Sequence, residues 1–233
     1  RQQVAPSVLE LCASDNSEFG KAAERFGITC TRVTKLDNDE SSEGVTKALH
    51  VAKNYGALMI ISSSSIGGPD WEKSKFLKLL RATNTVARAI VNNGGYLIFD
   101  LPRNSALWKE NEVKEFLNRF GLVAANYDGC CFGSKTTDGA LVKNERKLMT
   151  NSPAIRSAIN GKTCPGGRPH TSSAGRLAAP GNQHEKLAWI ALREYVKSVD
   201  DLNMAFDWAE QLTLEELSLI HISEPTRLGM MSY

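Results

Sequence analysis

Short apolar stretches alternate with longer amphipathic stretches over the first 150 residues of the chain. The apolar stretches have the length of strands, and several are apolar almost throughout, which is typical of strands buried on both faces of a parallel sheet. Six strands are predicted, at residues 7–13, 28–34, 57–61, 96–100, 122–127 and 147–150. Helical spacing of the apolar residues predicts helices at about 19–26, 45–54, 71–93 and 110–120, after Pro153, and at 184–199.

This regular alternation predicts an α/β fold, a Rossmann-like three-layer sandwich with a mostly parallel sheet. We expect this domain over residues 3–159, followed at 160–216 by an irregular loop and by C-terminal helices packed on the domain. Residues 1–2 and 217–233 resemble translated sequencing-adapter sequence, in the expected orientation at each end. The expectation is a metagenomic fragment whose two tails contribute nothing to fold or activity; the alternative is an ordinary polar tail.

The amino-acid composition of the chain limits which binding partners and which cellular compartment are expected. Lys plus Arg number 28 against 26 Asp plus Glu, and the formal charge of +2 excludes a strongly basic nucleic-acid coat but leaves room for a local basic patch. The apolar runs are far shorter than the roughly 18–20 residues of a membrane helix, so no membrane segment is predicted. Five irregularly spaced cysteines without a CxxC pair predict a reducing, intracellular compartment, cytoplasmic or nuclear.

In open α/β sheets, ligands bind beyond the carboxyl ends of the strands. Polar loops follow five of the apolar strands, and together they form the candidate site: residues 13–17, 34–37, 62–68, 100–104 and 128–133. The sequence contains neither GxGxxG nor GxxxxGK[ST], which counts against a nucleotide-binding enzyme of another doubly wound type.

The first of these loops is Glu10-Leu-Cys-Ala-Ser-Asp-Asn-Ser17, and a helical stretch follows it. It resembles the first motif of class I S-adenosylmethionine-dependent methyltransferases, in which an acidic strand end precedes a tight, usually Gly-rich turn. Asp and Asn stand here where small residues are expected, but both tolerate positive φ. The resemblance implies S-adenosyl-L-methionine as the cofactor. The residues implied to bind it are Glu10, Ala13, Ser14, Asp15, Asn16, Asp37 and Ser62.

Within this set, Asp37 is expected near the ribose hydroxyls, by analogy with the acidic residue of dinucleotide sites. Two alternatives remain open. The first loop would suit a strand-to-helix connection in any doubly wound protein, and Asp37 would suit a solvated turn.

Two further loops resemble segments of DNA cytosine 5-methyltransferases and of related methyltransferase-like proteins of viruses and retroelements. With Gly67-Gly68 and Trp71 as anchors, Ser65 falls where the catalytic cysteine stands, and an unactivated hydroxyl attacks a pyrimidine far less readily than a thiolate. Asp100 corresponds to a strand-end glutamate that contacts the base, and Arg103 would contact a phosphate. The resemblance thus implies Ser65 and Asp100 as catalytic residues. The alternatives are a non-catalytic serine-rich loop and, around Asp100, a proline and a tryptophan with structural roles only.

Later motifs extend the resemblance: Asp128-Gly-Cys-Cys-Phe-Gly133, Thr150-Asn-Ser-Pro153, and then Cys164 and His170. Related sequences carry a second histidine after the cysteine, and this chain does not. No metal site is expected, because two ligands do not close one. A basic rim for nucleic acid is expected at Arg103, Lys143, Arg146 and Lys147, the alternative being a solvated charged face.

We therefore expect an S-adenosylmethionine-dependent methyltransferase-like protein, most like those of mobile elements or viruses, that acts on DNA or RNA if it is active. Two departures leave catalytic degeneracy open: residues 14–16 contain no glycine, and Ser64-Ser65 stands where the related proteins carry Pro-Cys. The alternative is a non-catalytic nucleic-acid-binding relative. If methyl transfer occurs, an exocyclic amine or a hydroxyl is the expected acceptor, because direct attack on the methyl group needs no enzyme nucleophile.

Overall fold

A computed structural model describes residues 4–13, 17–34, 42–54, 56–62, 73–136, 138–167, 169–171 and 185–222. Within those ranges, the side chains of residues 12, 13, 34, 42, 43, 62, 75 and 206–222 are not part of the description.

Six strands and six α-helices follow one another along the described chain. The strands are β1 Ser7–Ala13, β2 Thr29–Thr34, β3 Leu58–Ser62, β4 Tyr96–Pro102, β5 Val123–Asp128 and β6 Glu145–Thr150. The helices are α1 Glu18–Arg25, α2 Ser42–Ala52, α3 Lys73–Asn92, α4 Asn111–Arg119, α5 Pro153–Ile159 and α6 Glu185–Ile222. Short 3₁₀ helices at Ala106–Lys109 and Gly129–Phe132 follow β4 and β5.

All six strands form one sheet in the order β2-β1-β3-β4-β6-β5. The pairs β1–β2, β1–β3 and β3–β4 are parallel, whereas β6 runs antiparallel to both of its neighbours, β4 and β5. The prediction of a mostly parallel sheet is confirmed, and β6 is the exception to it. Every predicted strand is present, although β6 begins two residues earlier than its apolar segment indicated.

Helices cover both faces of the sheet, which confirms the three-layer α/β sandwich. Period-two alternation in β1 sends Leu9 and Leu11 into a core shared with α2, α3 and α4. Val8 on the opposite face belongs to a second core shared with α1, α5 and α6. Glu10 lies on this second face, because it is two residues beyond Val8.

Two glycines, Gly94 and Gly95, determine how the chain passes from α3 into β4. Gly94 adopts a φ of 70°, the left-handed cap expected of this glycine pair. Gly95 lies so close to Ala57 O and the Ile90 side chain that a Cβ there would collide with both. The chain therefore passes from α3 directly into β4.

The first part of α6 packs on the sheet as part of the second core and is tied to the start of β1. The Tyr195 hydroxyl donates to Ser7 O at 2.9 Å and accepts from Ser7 N at 2.9 Å, so α6 is tied to the first residue of β1. This helix continues to Ile222, past the predicted end at residue 199 and past the proposed boundary at Glu216. The absence of any tail contribution to stability stays a prediction. Among the described helices, none combines the length and the apolar composition needed to cross a membrane.

Candidate functional site

The carboxyl ends of β1, β3 and β4 lie at one edge of the sheet, because these strands are parallel neighbours. Glu10 pairs in register with Ile60, and Ser62 pairs with Asp100. Of the residues implied to bind cofactor, Glu10, Ala13 and Ser62 belong to this edge. Four others, together with the proposed catalytic Ser65, lie outside the described residues and stay predictions: Ser14, Asp15, Asn16 and Asp37.

Glu10 is buried and is tied to the start of α1. The Ser17 hydroxyl donates to Glu10 Oε2, while Ser17 Oγ accepts from Gly20 N at 3.0 Å and so caps α1. Desolvation raises the pKa of Glu10 to about 7, against the opposing effects of the Ser17 hydroxyl and of Arg32. Glu10 can therefore exchange a proton near neutral pH.

Arg32 places a positive charge beside Glu10. It pairs with Glu10 in the β1–β2 register, and its guanidinium contacts Glu24 at 3.0 Å. Gly20 in α1 lies directly against the Arg32 guanidinium, so a larger side chain at this position would displace the end of the arginine. The arginine is thus held by its strand register and by its ion pair with Glu24 on α1.

A second buried carboxylate, Asp100, lies on the same face of the sheet as Glu10. Arg146 Nη2 donates to Asp100 Oδ2 at 2.6 Å, and the Tyr127 hydroxyl donates to the same oxygen at 3.2 Å. Tyr127 and Arg146 are opposite each other on β5 and β6. Asp100 is 1% exposed, and its Oδ1 accepts no hydrogen bond from the described residues.

The prediction that Arg146 belongs to an exposed basic rim is wrong. Arg146 is 5% exposed, and its guanidinium lies inside the sheet layer against Asp100 and Tyr127. Burial lowers the pKa of Arg146, but the Asp100 carboxylate and Tyr127 outweigh it, and the net pKa shift is upward. Its role is to neutralise a buried carboxylate.

The other three basic residues are at the surface but have close neighbours. Arg103 Nη2 is 3.5 Å from Asp128 Oδ1, and Lys143 Nζ is 2.6 Å from Glu145 Oε1. Lys147 Nζ lies 4.5 Å from the ring centre of Trp108. The acidic partners offset much of the positive charge, and a nucleic-acid rim at Arg103, Lys143 and Lys147 stays a prediction.

Trp108 has a structural role at this edge, in line with the alternative weighed for it. Its Nε1 donates to Pro102 O at 2.8 Å, and its ring packs edge-on against Phe99 at a centroid distance of 5.5 Å. Pro102 is the last residue of β4. Trp108 therefore holds the segment that carries Asp100.

The expectation of no metal site depended on having only two ligands, and the structure brings a third to them. Cys130, in the 3₁₀ helix after β5, lies with Cys164 and His170 so that the three ligand atoms are all within 4.8 Å of one another. Sequence reasoning missed Cys130 because nothing local connects it to the distant Cys164. The only available signal was that Cys130 follows a strand at the candidate edge.

Glu10 and Asp100 are too far apart to act as one pair. They are separated by β3 and by two residues of rise, which amounts to about 12 Å between their Cα atoms. Two carboxylates that share a proton need to be much closer. The edge therefore offers two independent acidic positions, one that can exchange a proton near pH 7 and one with a fixed counter-charge. Comparisons of the chain with protein-family models, with curated proteins and with solved structures found no match.

Proposed function

We propose that this protein is a class I S-adenosylmethionine-dependent methyltransferase-like protein that acts on nucleic acid. The observation that carries the proposal is the sheet: its order is β2-β1-β3-β4-β6-β5, with the antiparallel β6 inserted next to the edge. The resemblance of the motifs to class I methyltransferases implies a Rossmann-like, mostly parallel sheet, and the parallel pairs β1–β2, β1–β3 and β3–β4 fit that expectation. Because one fold serves many functions, the proposal also depends on residues at the carboxyl edge.

Glu10 and the loop after β1 would hold the cofactor. Glu10 is buried, so its proposed contribution is to fix Ser17 and the start of α1. The backbone amides of the loop after β1, whose residues 14–16 lie outside the described residues, would bind the methionine part of the cofactor. The N-terminus of α1 also has a positive dipole end that suits a carboxylate ligand. Asp37 near the ribose belongs to the same proposal.

The bound cofactor would supply a methyl group on a sulfonium, which a nucleophile takes in a single in-line displacement. Positioning of the acceptor and exclusion of water would then be the main tasks of the protein. Asp100 Oδ1 is buried and has no hydrogen-bond partner among the described residues, so an exocyclic amine or a hydroxyl acceptor would have to displace the side chains around it to donate its N–H or O–H. Arg146 keeps that carboxylate oriented through its other oxygen.

The alternative is a non-catalytic nucleic-acid-binding relative. It is favoured by the sequence of two loops, because Ser65 stands in place of a cysteine and residues 14–16 contain no glycine. Such a protein would bind a DNA or RNA strand through Arg103, Lys143 and Lys147 and would not bind the cofactor. A cytoplasmic or nuclear location is part of both proposals.

Isothermal titration with S-adenosylmethionine, with S-adenosylhomocysteine and with duplex and single-stranded DNA distinguishes the two. We expect cofactor binding that Asn16→Val weakens by about tenfold or more, because a β-branched residue resists positive φ. Asn118→Val on α4 is the matched control and should bind as the parent does. DNA binding without cofactor binding would support the alternative, and binding that Asn16→Val leaves unchanged would remove this loop from the site.

A covalent trapping experiment tests the type of methyl transfer. The protein is incubated with 5-fluorocytosine DNA and S-adenosylmethionine and then run on a denaturing gel. We expect no shifted band, because no cysteine occupies residues 62–70 and no histidine or lysine there would activate Ser65. A stable shifted band that disappears in Ser65→Ala would contradict this and restore the cytosine C5 mechanism.

A further inference from the structure

Two thiols and an imidazole converge at the end of β5. The Sγ atoms of Cys130 and Cys164 and a ring nitrogen of His170 all lie within 4.8 Å of one another, and Cys164 Sγ is 3.5 Å from His170 Nε2. In a tetrahedral zinc site, neighbouring sulfur and nitrogen ligands are about 3.3–3.8 Å apart, given the Zn–S and Zn–N bond lengths. The observed separation of Cys164 and His170 falls in that range.

The backbone holds the three ligands in place from separate directions. Gly129 N donates to Asn144 O at 2.9 Å, which anchors the 3₁₀ helix that carries Cys130. Cys164 N donates to the buried Asp128 Oδ2 at 2.9 Å. Beside His170, Thr171 N donates to Leu141 O at 3.0 Å. These bonds fix the site without any bound ion, so little ordering would be needed on binding.

Glycine at position 129 is part of the same arrangement. A Cβ there would lie 2.5 Å from Ser134 Oγ and close to Asn144, so a larger residue would push Cys130 out of position. Gly133 closes the turn with a φ of 92°. Glycines on both sides of Cys130 thus let the 3₁₀ helix direct the Cys130 thiol toward Cys164 and His170.

The three side chains are half-buried, which suits an ion that enters from solvent and then loses much of its hydration. His170 also lines an open groove with Ala140, Leu141, Pro169 and Thr171. Because thiols bind metal ions as thiolates, binding of a cation would release their protons. Soft thiolates with an imidazole favour zinc over magnesium or calcium.

We propose that Cys130, Cys164 and His170 bind one zinc ion, with the fourth position open to water. The exposed Cys131 is outside the group of three. Three protein ligands with one open position are the composition of many catalytic zinc sites, whereas structural sites are usually closed by four. This proposal does not depend on methyl transfer.

The first experiment uses the full-length parent protein. It is purified without chelator under reducing conditions, its zinc content is measured by mass spectrometry, and the metal-free form is titrated with Co²⁺. We expect one zinc per chain and, with cobalt, the visible bands of tetrahedral coordination together with thiolate charge-transfer absorption. A substoichiometric zinc content, or octahedral cobalt without charge-transfer absorption, would overturn the proposal.

Variants then identify the ligands. Cys130→Ser, Cys164→Ser and His170→Gln should each weaken zinc binding on the order of 100-fold or more, since the loss of even an outer partner costs 10–100-fold. Cys30→Ser, on β2, and Cys131→Ser are the matched controls and should retain one zinc. Circular dichroism identifies variants that fail to fold. Equal zinc loss in the controls, or a Cys130–Cys164 disulfide that binds no zinc after reduction, would contradict the assignment.

Discussion

Glu10 and Asp100 are both buried carboxylates on one face of one sheet, but their surroundings differ. Asp100 accepts from the Arg146 guanidinium at 2.6 Å and from the Tyr127 hydroxyl at 3.2 Å. Glu10 accepts from a neutral hydroxyl, that of Ser17, and its nearest arginine contacts another glutamate at 3.0 Å. Desolvation therefore prevails at Glu10 and raises its pKa to about 7.

The difference shows that burial alone does not decide how a carboxyl group behaves. An arginine is always charged, so Asp100 has a permanent counter-charge within hydrogen-bond distance. A hydroxyl donor stabilises the ionised form of Glu10 only in part. A carboxylate destabilised in this way is typical of functional positions, whereas a neutralised one is also common in purely structural networks. The comparison thus makes Glu10 the more informative residue for testing function.

The largest expected effect comes from removing the counter-charge of Asp100. Arg146→Met should lower the free energy of unfolding by about 3–5 kcal/mol, because it leaves a buried carboxylate without its partner. Asp100→Asn leaves the arginine unpaired in the same way, and the double variant should recover a large part of the loss. Urea denaturation at pH 7 measures all three.

Arg25→Met is the control for this cycle, because the ion pair of Arg25 with Glu185 is exposed on both sides, at 57% and 54%. Its cost should be about 1 kcal/mol or less. Strictly additive losses at Asp100 and Arg146 would show that the two side chains do not stabilise each other.

The positions of Glu10 and Asp100 could be predicted from the sequence, but the difference between their surroundings could not. Apolar runs predicted the six strands, and polar strand ends predicted Glu10 and Asp100 at one edge of the sheet. The burial of Arg146 is predictable from strand periodicity. Arg146 is two residues before Leu148, which is fully buried, so both side chains lie on one face of β6. Cys130 follows a strand at the candidate edge, but no sequence pattern connects it to Cys164 and His170, because only tertiary structure brings the three together.

A smaller effect, of opposite sign, is expected at Glu10. Its pKa in the folded protein, about 7, is above its ordinary value of 4.5, so the folded state binds a proton more tightly than the unfolded chain. The contribution of Glu10 to stability is therefore complete below pH 4.5 and is lost as the pH rises to 7. Glu10→Gln does not titrate and should be more stable than the parent by about 3 kcal/mol at pH 8, with little difference at pH 4.

Denaturation curves of the parent and of Glu10→Gln from pH 4 to 8 test this. The control is Glu145→Gln, because Lys143 lowers the pKa of Glu145 and this variant should gain no stability as the pH rises. If Glu10 also supports the cofactor loop, the more stable Gln variant should bind S-adenosylmethionine more weakly. A pH-independent difference between parent and variant would show that folding leaves the pKa of Glu10 unchanged.

The smallest effect separates the two hydrogen bonds of Ser17. Ser17→Ala removes both the cap of α1 and the hydroxyl donor to Glu10, whereas Ser152→Ala removes only a cap, that of α5, where Ser152 Oγ accepts from Ile155 N at 3.3 Å. Each variant should lose about 1 kcal/mol at pH 5 from the missing cap. Above pH 7, Glu10 is ionised and needs its donor, so Ser17→Ala alone should lose on the order of 1 kcal/mol more. The difference between the two variants across the pH range, measured by urea denaturation, therefore reports the Ser17–Glu10 bond alone. Parallel pH profiles for the two variants would mean that this hydroxyl caps the helix and does nothing for the carboxylate.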